Sequence, residues 1–300
     1  MHSSFFSALT QDIMSIPRQC CASGSLHTGK PTGEISKLHG FDVYIASPAS
    51  NNPNGIVVIL PDIFGWTLPN TRILADSFAE KGDFLVMLPD LMNGNVFPQD
   101  LIISIKALDA TGPFAWLIKG YHFLKLVWRG WPFLKNDKAH LVRPRVISFF
   151  RGLASSHPGL PVATAGYCWG GQWVVELCKN SEDQRAEDGK PLVVCGFTAH
   201  PSRLKIPTDF EEVQMPLSVA AAGIDQQIPV AKAKQIEGIL KAKTAKTKDD
   251  GVEHEFKMYE GVHHGFAIRA DENEGHEKEC GKKAEEQAVQ WFTKWFEQSR

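Results

Sequence analysis

The sequence predicts an α/β fold in which a mostly parallel central sheet carries helices on both faces. Short apolar runs alternate with amphipathic helical patterns along most of the chain, which favours this class. The composition agrees, because 43% of the 300 residues are hydrophobic and 22% are charged. We therefore expect one domain over residues 1–300, with residues 1–17 as a flexible arm.

The first predicted unit of strand, helix and strand occupies residues 55–88. Residues 55–60 are a continuous apolar run typical of a buried strand, and residues 84–88 form a second such strand. Between them, residues 70–81 have the pattern of a helix with Leu74 and Phe78 on one face.

The region 112–141 interrupts this alternation. Seven aromatic residues lie within 112–134: Phe114, Trp116, Tyr121, Phe123, Trp128, Trp131 and Phe133. They fit either a helical cap insertion that binds a large apolar substrate or amphipathic helices packed on the sheet edge. Aromatic residues at helical spacing are more often core residues than ligand-binding residues. We therefore favour helices packed on the sheet edge over a cap.

The alternation resumes in the second half of the chain. We predict a helix over residues 142–153 and strands over 161–165, 192–198, 216–223 and 255–259. Residues 241–250 are expected to be a frayed helix end and an exposed loop. A final amphipathic helix over 277–297 covers the sheet with four apolar residues. They are Ala284, Ala288, Phe292 and Trp295.

Cys168 is the main candidate for a catalytic nucleophile. It stands between Gly166 and Gly170, directly after the predicted strand 161–165. Small residues on both sides permit an abrupt strand-to-helix turn that places the sulfur in the open. The helix predicted to start near Trp169 favours a thiolate at its N-terminus. The same segment also fits a tight turn around a buried, inert thiol.

An acid and a base for a catalytic triad follow Cys168 in the chain. In α/β-hydrolases the nucleophile, the acid and the histidine follow successive strands in that order. Asp225 follows the predicted strand 216–223, and His263 and His264 follow the strand 255–259. Each residue alone fits an ordinary turn, but the three in this order favour a triad.

These motifs resemble the dienelactone hydrolases, also called carboxymethylenebutenolidases, which have the α/β-hydrolase fold. The resemblance rests on residues 166–171, 223–225 and 264–266, and on residues 60–65 near the start. Residues 69–76 and 88–94 are most similar to the fungal branch. The resemblance to the family extends from about residue 20 to the C-terminus and is weakest over 112–141.

The resemblance implies a cysteine-dependent hydrolase of esters or lactones that forms a thioester intermediate. By the matched motifs, Cys168 is the nucleophile, Asp225 the acid and His264 the base. The backbone N–H groups of Ile63 and Trp169 would form the oxyanion hole. No metal or organic cofactor is implied.

At two positions expected to bind or activate the substrate, this sequence differs from the bacterial members of the family. Those members have Glu at the position of Asp62, where the carboxylate is thought to interact with the thiol. Arg269 is offset by one position from a substrate-binding Arg, and residues 92–95 lack a second one. We therefore do not expect a small carboxylate-bearing lactone as substrate.

Two alternatives stay open at this point. The chain could be a biosynthetic hydrolase or thioesterase that acts on a polyketide-like substrate, for which the aromatic segment is suited. It could also be a binding protein of the same fold with impaired catalysis, since Asp62 is shorter than Glu.

Charge and cysteine content limit the partners. The formal net charge of −2 gives no reason to expect nucleic acid or an anionic membrane as a partner. Six dispersed cysteines favour reduced thiols and a cytoplasmic location, and Cys20 with Cys21 lacks the companions of a zinc site. We expect no secretory signal, a small-molecule substrate, and a monomer or homodimer.

Overall fold

The structure, a computed structural model, describes residues 29–108, 110–246, 252–270 and 275–300. The predicted N-terminal arm over residues 1–17, Cys20 with Cys21, and the end of the predicted loop at 247–250 lie outside the described residues.

The described residues form a central sheet of eight strands. The strands are β1 (Glu34–Leu38), β2 (Phe41–Ala46), β3 (Ile56–Leu60), β4 (Leu85–Pro89), β5 (Val162–Tyr167), β6 (Cys195–Ala199), β7 (Leu217–Ile224) and β8 (His254–His263). Their order is β1-β2-β4-β3-β5-β6-β7-β8. Strands β3 to β8 pair in parallel, whereas β1 and β2 are antiparallel additions at one edge. The predicted α/β fold with a mostly parallel sheet is confirmed.

Helices connect the strands and cover the sheet. They are α1 (Pro69–Gly82), α2 (Leu101–Ala107), α3 (Ala115–Asn136), α4 (Ala139–Ser156), α5 (Trp169–Leu177), α6 (Thr208–Glu211), α7 (Val230–Lys246), α8 (Phe266–Arg269) and α9 (Gly275–Gln298). The predicted boundaries differ from these by a few residues. The residues 241–246 of the predicted frayed end belong to α7.

Helices lie on both faces of the sheet, as adjacent residues of β6 demonstrate. The ring of Phe197 packs edge-to-face against Phe292 of α9. The hydroxyl of Thr198 faces α5, because a Cβ on Gly171 would come within 2.5 Å of it. Since successive side chains of a strand point to opposite faces, α9 and α5 cover opposite sides of the sheet. The residues predicted to face the sheet from α9 are all buried.

The sequence analysis missed the hairpin formed by β1 and β2. Its two turn residues, His39 and Gly40, have φ angles of 52° and 86°. Positive φ at both central residues is typical of a two-residue hairpin turn whose twist matches the strands. The signal was weak because His, unlike Asn or Asp, is not a usual residue at the first position.

The aromatic segment forms α3, and the expectation that its aromatic residues belong to the core is wrong. Among the seven aromatic side chains of residues 112–134, Phe133 is buried, whereas the other six are exposed. Phe133 packs edge-to-face on Phe97. Helix α3 therefore contacts the rest of the protein through one face and turns most of its aromatic surface outward.

Candidate active site

The candidate catalytic residues meet at one edge of the sheet, where the parallel strands end. Cys168 directly follows β5, Asp225 follows β7 and His264 follows β8. Asp62 lies two residues beyond β3. The carboxyl ends of parallel strands share one edge, and ligand sites of open α/β sheets lie there. The fold thus brings together residues that are up to 202 positions apart in the sequence.

Cys168 occupies a sharp turn between β5 and α5. Its φ and ψ angles of 50° and −111° are unusual for a residue with a Cβ, and its backbone oxygen accepts a hydrogen bond from the N–H of Ser202 at 3.0 Å. A Cβ on Gly170 would stand 1.9 Å from the carbonyl oxygen of Leu60, and one on Gly166 would stand 2.6 Å from the oxygen of Gly170. Only glycine permits this approach of helix and strands, as the motif predicts.

The sulfur of Cys168 is not in the open, contrary to the expectation from the motif. The residue is 1% exposed. The Ser202 hydroxyl lies 3.8 Å from Sγ, and the imidazole of His264 also interacts with the sulfur. Because α5 begins at Trp169, Cys168 is the N-cap of a nine-residue helix. The unpaired N–H groups at such a helix start favour negative charge on the sulfur.

Asp225 orients the imidazole of His264. Its Oδ2 lies 2.8 Å from Nδ1 of His264, and both side chains are almost fully buried. The other carboxylate oxygen accepts hydrogen bonds from the backbone N–H groups of Gln227 at 2.7 Å and Ile228 at 3.4 Å. The carboxylate is therefore held on both oxygens, and the second ring nitrogen of His264 is left for Cys168.

The charge of this cluster favours a protonated His264. Burial lowers its pKa, but the negative charge of Cys168 and the hydrogen bond with Asp225 act more strongly together, so that the pKa lies well above its usual range. The neighbouring His263 has different surroundings. Its side chain is 53% exposed, and its Nδ1 lies 3.9 Å from a carboxylate oxygen of Glu277.

A second buried histidine, His200, was missed by the sequence analysis. It directly follows β6, and its ring packs edge-to-face on His264 with a centroid distance of 4.9 Å. Burial, and then the positive charges of His264 and Arg269, keep its pKa well below the usual range. A second proton on His200 is thus disfavoured beside a charged His264. In the sequence, the position of His200 just after a predicted strand was the feature that could have identified it as a candidate site residue.

Asp62 and Arg269 form a buried ion pair beside the thiol. Arg269 Nη1 lies 3.3 Å from Oδ2 of Asp62, and the guanidinium stacks over the ring of Phe64. The backbone N–H of Phe64 donates to Oδ1 of Asp62 at 2.9 Å. Burial raises the pKa of Asp62 to about 6, against the opposing effect of Arg269, and the charge of Cys168 raises it further.

The two predicted oxyanion-hole residues closely follow strands β3 and β5. Ile63 is adjacent to Asp62, and its carbonyl accepts a hydrogen bond from Phe97 at 2.8 Å. Trp169 follows Cys168, and its indole N–H donates to the carboxylate of Asp137 at the end of α3. Arg203 also binds this carboxylate. Both residues are buried.

Within the part of the chain that the structure describes, no group of three His, Cys, Asp or Glu side chains is arranged to hold a metal ion. The cluster of thiol, imidazole and carboxylate is instead suited to nucleophilic chemistry at a carbonyl carbon.

The chain is similar to proteins of one family along most of its length. The sequence model of the "Dienelactone hydrolase family" matches residues 41–113 and 153–299. "Hydrolase tropI" of Talaromyces stipitatus is 32% identical over 288 residues, which cover 95% of this chain and 99% of that protein. "Hydrolase pyvD" of Aspergillus violaceofuscus is 28% identical, with 93% and 97% covered.

A solved structure agrees with the fold. A putative dienelactone hydrolase from Klebsiella pneumoniae superposes with a TM-score of 0.55 at 16% identity, and covers 87% of this chain and 98% of that one. Together with the sequence matches, it confirms the α/β-hydrolase fold and the resemblance noted from the motifs. The chain therefore belongs to the dienelactone hydrolase family and is a carboxylic ester hydrolase of that kind.

Proposed function

We propose that this protein hydrolyses esters or lactones through Cys168, His264 and Asp225, with a thioester intermediate. The observation that carries the proposal is the buried contact of 2.8 Å between Asp225 and Nδ1 of His264, beside a cysteine held in the strained turn before α5. This is the arrangement in which a histidine moves protons for a nucleophile while a carboxylate fixes its orientation.

In the first half of the reaction, the Cys168 thiolate attacks the substrate carbonyl carbon. The carbonyl π electrons move to oxygen, and the oxyanion is stabilised by the backbone N–H groups of Ile63 and Trp169, at roughly 3 kcal/mol per donor. The carbonyl then re-forms as the bond to the leaving oxygen breaks. Protonated His264 gives that oxygen its proton, which leaves a thioester on Cys168 and a neutral imidazole.

In the second half, water hydrolyses the thioester. Neutral His264 takes a proton from water, and the resulting hydroxide attacks the thioester carbonyl through the same oxyanion site. The bond to sulfur breaks, the acid leaves, and Cys168 and His264 return to thiolate and imidazolium. Asp225 stabilises the imidazolium at both stages.

The Asp62–Arg269 pair limits which substrates the site can accept. Arg269 is 4% exposed and already has Asp62 and the Phe64 ring as partners. A substrate carboxylate would have to compete with Asp62 for the same guanidinium. We therefore propose a substrate whose reacting ester or lactone lacks a carboxylate next to the carbonyl.

The test is hydrolysis of an enol-lactone and of an activated aryl ester by the wild type, Cys168→Ala and Cys178→Ala. Cys178 is a matched control, because it is also buried and burial raises its pKa, but it lies at the far end of α5. We expect Cys168→Ala to lose activity by roughly 10³-fold or more, and Cys178→Ala to stay within a few-fold of the wild type.

Intact-mass spectrometry of the wild type, quenched during turnover of the aryl ester, provides the second readout. The acyl adduct should be present in the wild type and absent from Cys168→Ala. Equal activity of wild type and Cys168→Ala would refute the mechanism. A folded wild type that neither turns over nor acquires an acyl group with either compound would favour a binding protein instead.

A further inference from the structure

Helix α3 carries a continuous apolar stripe on its outer side. The outer stripe consists of Leu117, Tyr121, Leu124, Trp128 and Trp131, spaced by four, three, four and three residues. This spacing follows the helical period, so the five side chains lie along one line. Each of them is between 48% and 79% exposed.

The opposite side of the same helix contacts the protein. Its buried residues are Leu126, Gly130, Phe133 and Leu134. A helix needs only one apolar face to pack on its own domain, and monomeric proteins rarely expose a contiguous patch of large apolar side chains. The outer stripe is therefore more apolar than the packing of α3 requires, and none of its residues belongs to the proposed triad.

Helix α3 is basic, although the whole chain is slightly negative. It contains four Lys and Arg and no acid, a formal charge of +4 against −2 for the whole chain. The carboxylate of Asp137, directly after the helix, is buried and binds Arg203.

Some of these cations have partners within the protein. Asp100 pairs with Lys125 and Arg129, and two cations share its one negative charge. Lys135 is exposed on the side of the outer stripe, four residues after Trp131, whereas Lys119 is exposed on the other side of the helix, seven residues before Leu126. The net charge at the outer stripe is therefore positive, and net charge of the whole chain was a poor guide to this surface.

We propose that α3 docks the protein on the surface of an anionic lipid bilayer through the outer stripe. An exposed helix with Trp, Tyr and Leu on one side and basic residues beside them is typical of helices that lie in the membrane interface. Aromatic rings with a polar atom, such as those of Tyr121, Trp128 and Trp131, are enriched at that depth.

The charge of α3 favours a bilayer over a second copy of the chain. Two α3 helices packed together would bring Lys and Arg of both copies close, with no acid on either helix to pair with them. Over the residues that the structure describes, no helix is apolar and long enough to span a bilayer, so that docking is peripheral.

The test is co-sedimentation of the full chain with two kinds of vesicle. One contains phosphatidylcholine alone, and the other contains phosphatidylcholine mixed with phosphatidylserine. We expect the wild type to bind the anionic vesicles and to be released by high salt. Trp128→Ser/Trp131→Ser should bind at least tenfold more weakly, whereas Ile35→Ser, which removes an exposed apolar residue from β1, should bind as the wild type does.

A charge variant and the catalytic variant complete the design. Lys135→Glu should also weaken binding at least tenfold, because it replaces a basic residue beside the outer stripe with an acid, and each basic residue near an anionic surface contributes roughly fivefold to the affinity. Cys168→Ala should bind like the wild type, which separates docking from the proposed chemistry. Unchanged melting temperatures would show that the surface variants are folded.

Three outcomes would overturn the proposal. The first is a wild type that binds neither kind of vesicle. The second is equal binding by the wild type and Trp128→Ser/Trp131→Ser. The third is a wild-type dimer in sedimentation velocity that becomes a monomer in that variant without any vesicle binding, because the outer stripe would then hold a second copy.

Discussion

The turn at Cys168 and helix α3 are both rich in apolar and aromatic residues, but they differ in what surrounds them. At the turn, Tyr167, Cys168 and Trp169 are all at most 1% exposed. In α3, the side chains of the outer stripe are about half exposed or more. The difference shows that apolar composition alone does not distinguish a core segment from a surface segment. What distinguishes the turn at Cys168 is the close approach of its backbone to the backbone of neighbouring strands.

The two regions are joined by one buried carboxylate. Asp137, at the end of α3, accepts hydrogen bonds from the Trp169 indole and from Arg203. Burial raises its pKa, and Arg203 opposes this effect. The family match covers residues on both sides of 114–152, so that α3 attaches to the shared framework next to the proposed nucleophile. The contact at Asp137 fixes the position of one end of α3 but does not bury the outer side of the helix.

A pair of glycine substitutions gives the largest expected contrast between the regions. Gly170→Ala places a Cβ 1.9 Å from the Leu60 carbonyl oxygen, and neither backbone can move without breaking the turn. We expect destabilisation of about 3 kcal/mol or more, with loss of hydrolysis. Gly120→Ala, in α3, meets nothing within 4 Å and should stabilise the protein by about 0.5–1 kcal/mol.

Urea unfolding followed by circular dichroism measures both substitutions on the same scale. Hydrolysis of the aryl ester at equal folded concentration provides the activity readout. If Gly170→Ala were as stable and as active as Gly120→Ala, the close packing of α5 on β3 described here would be wrong.

A pair of leucine substitutions within α3 tests the contrast between its two sides. Leu126 is 1% exposed and Leu124 is 68% exposed, two positions apart in the same helix. Leu126→Ala should cost about 2–5 kcal/mol, since it leaves a cavity. Leu124→Ala should change the stability by at most about 0.5 kcal/mol. Urea midpoints at equal protein concentration measure both, and equal losses would mean that the outer stripe is covered in solution.

Much of the site could be predicted because its chemistry constrains the sequence. The turn requires Gly166 and Gly170, and the parallel strands place Asp225 and His264 at known points of the chain order. The fold class followed from the same alternation of strands and helices. His200 was missed because a single histidine after a strand has no motif around it, and only packing against His264 reveals its position.

The surroundings of α3 could not be predicted for a different reason. Helical periodicity assigns residues to two sides of a helix but does not say which side meets the protein. In α3 both sides carry large apolar residues, such as Leu124 and Leu126. Burial of the side with Leu126 and Phe133 depends on contacts from distant parts of the chain, among them the Phe97 ring.

The last comparison concerns Asp62 and the way its contribution to stability depends on pH. Its pKa in the folded protein is about 6, above the ordinary 3.8, first because burial disfavours the charged carboxylate. The folded state therefore holds a proton more tightly than the unfolded chain. The stability that this residue contributes is complete below about pH 4 and is lost as the pH rises through about 6.

Asp62→Asn removes this titration and keeps the shape of the side chain. Its stability relative to the wild type should rise by on the order of 3 kcal/mol between about pH 4 and about pH 7, as measured by urea unfolding. Parallel pH profiles for the two proteins would contradict the raised pKa. Such a profile would mean that the wild type keeps, beside the thiol and paired with Arg269, a carboxylate that weakens the fold at neutral pH. The same comparison with Leu124→Ala, which contains no titrating group, should give curves parallel to the wild type at every pH.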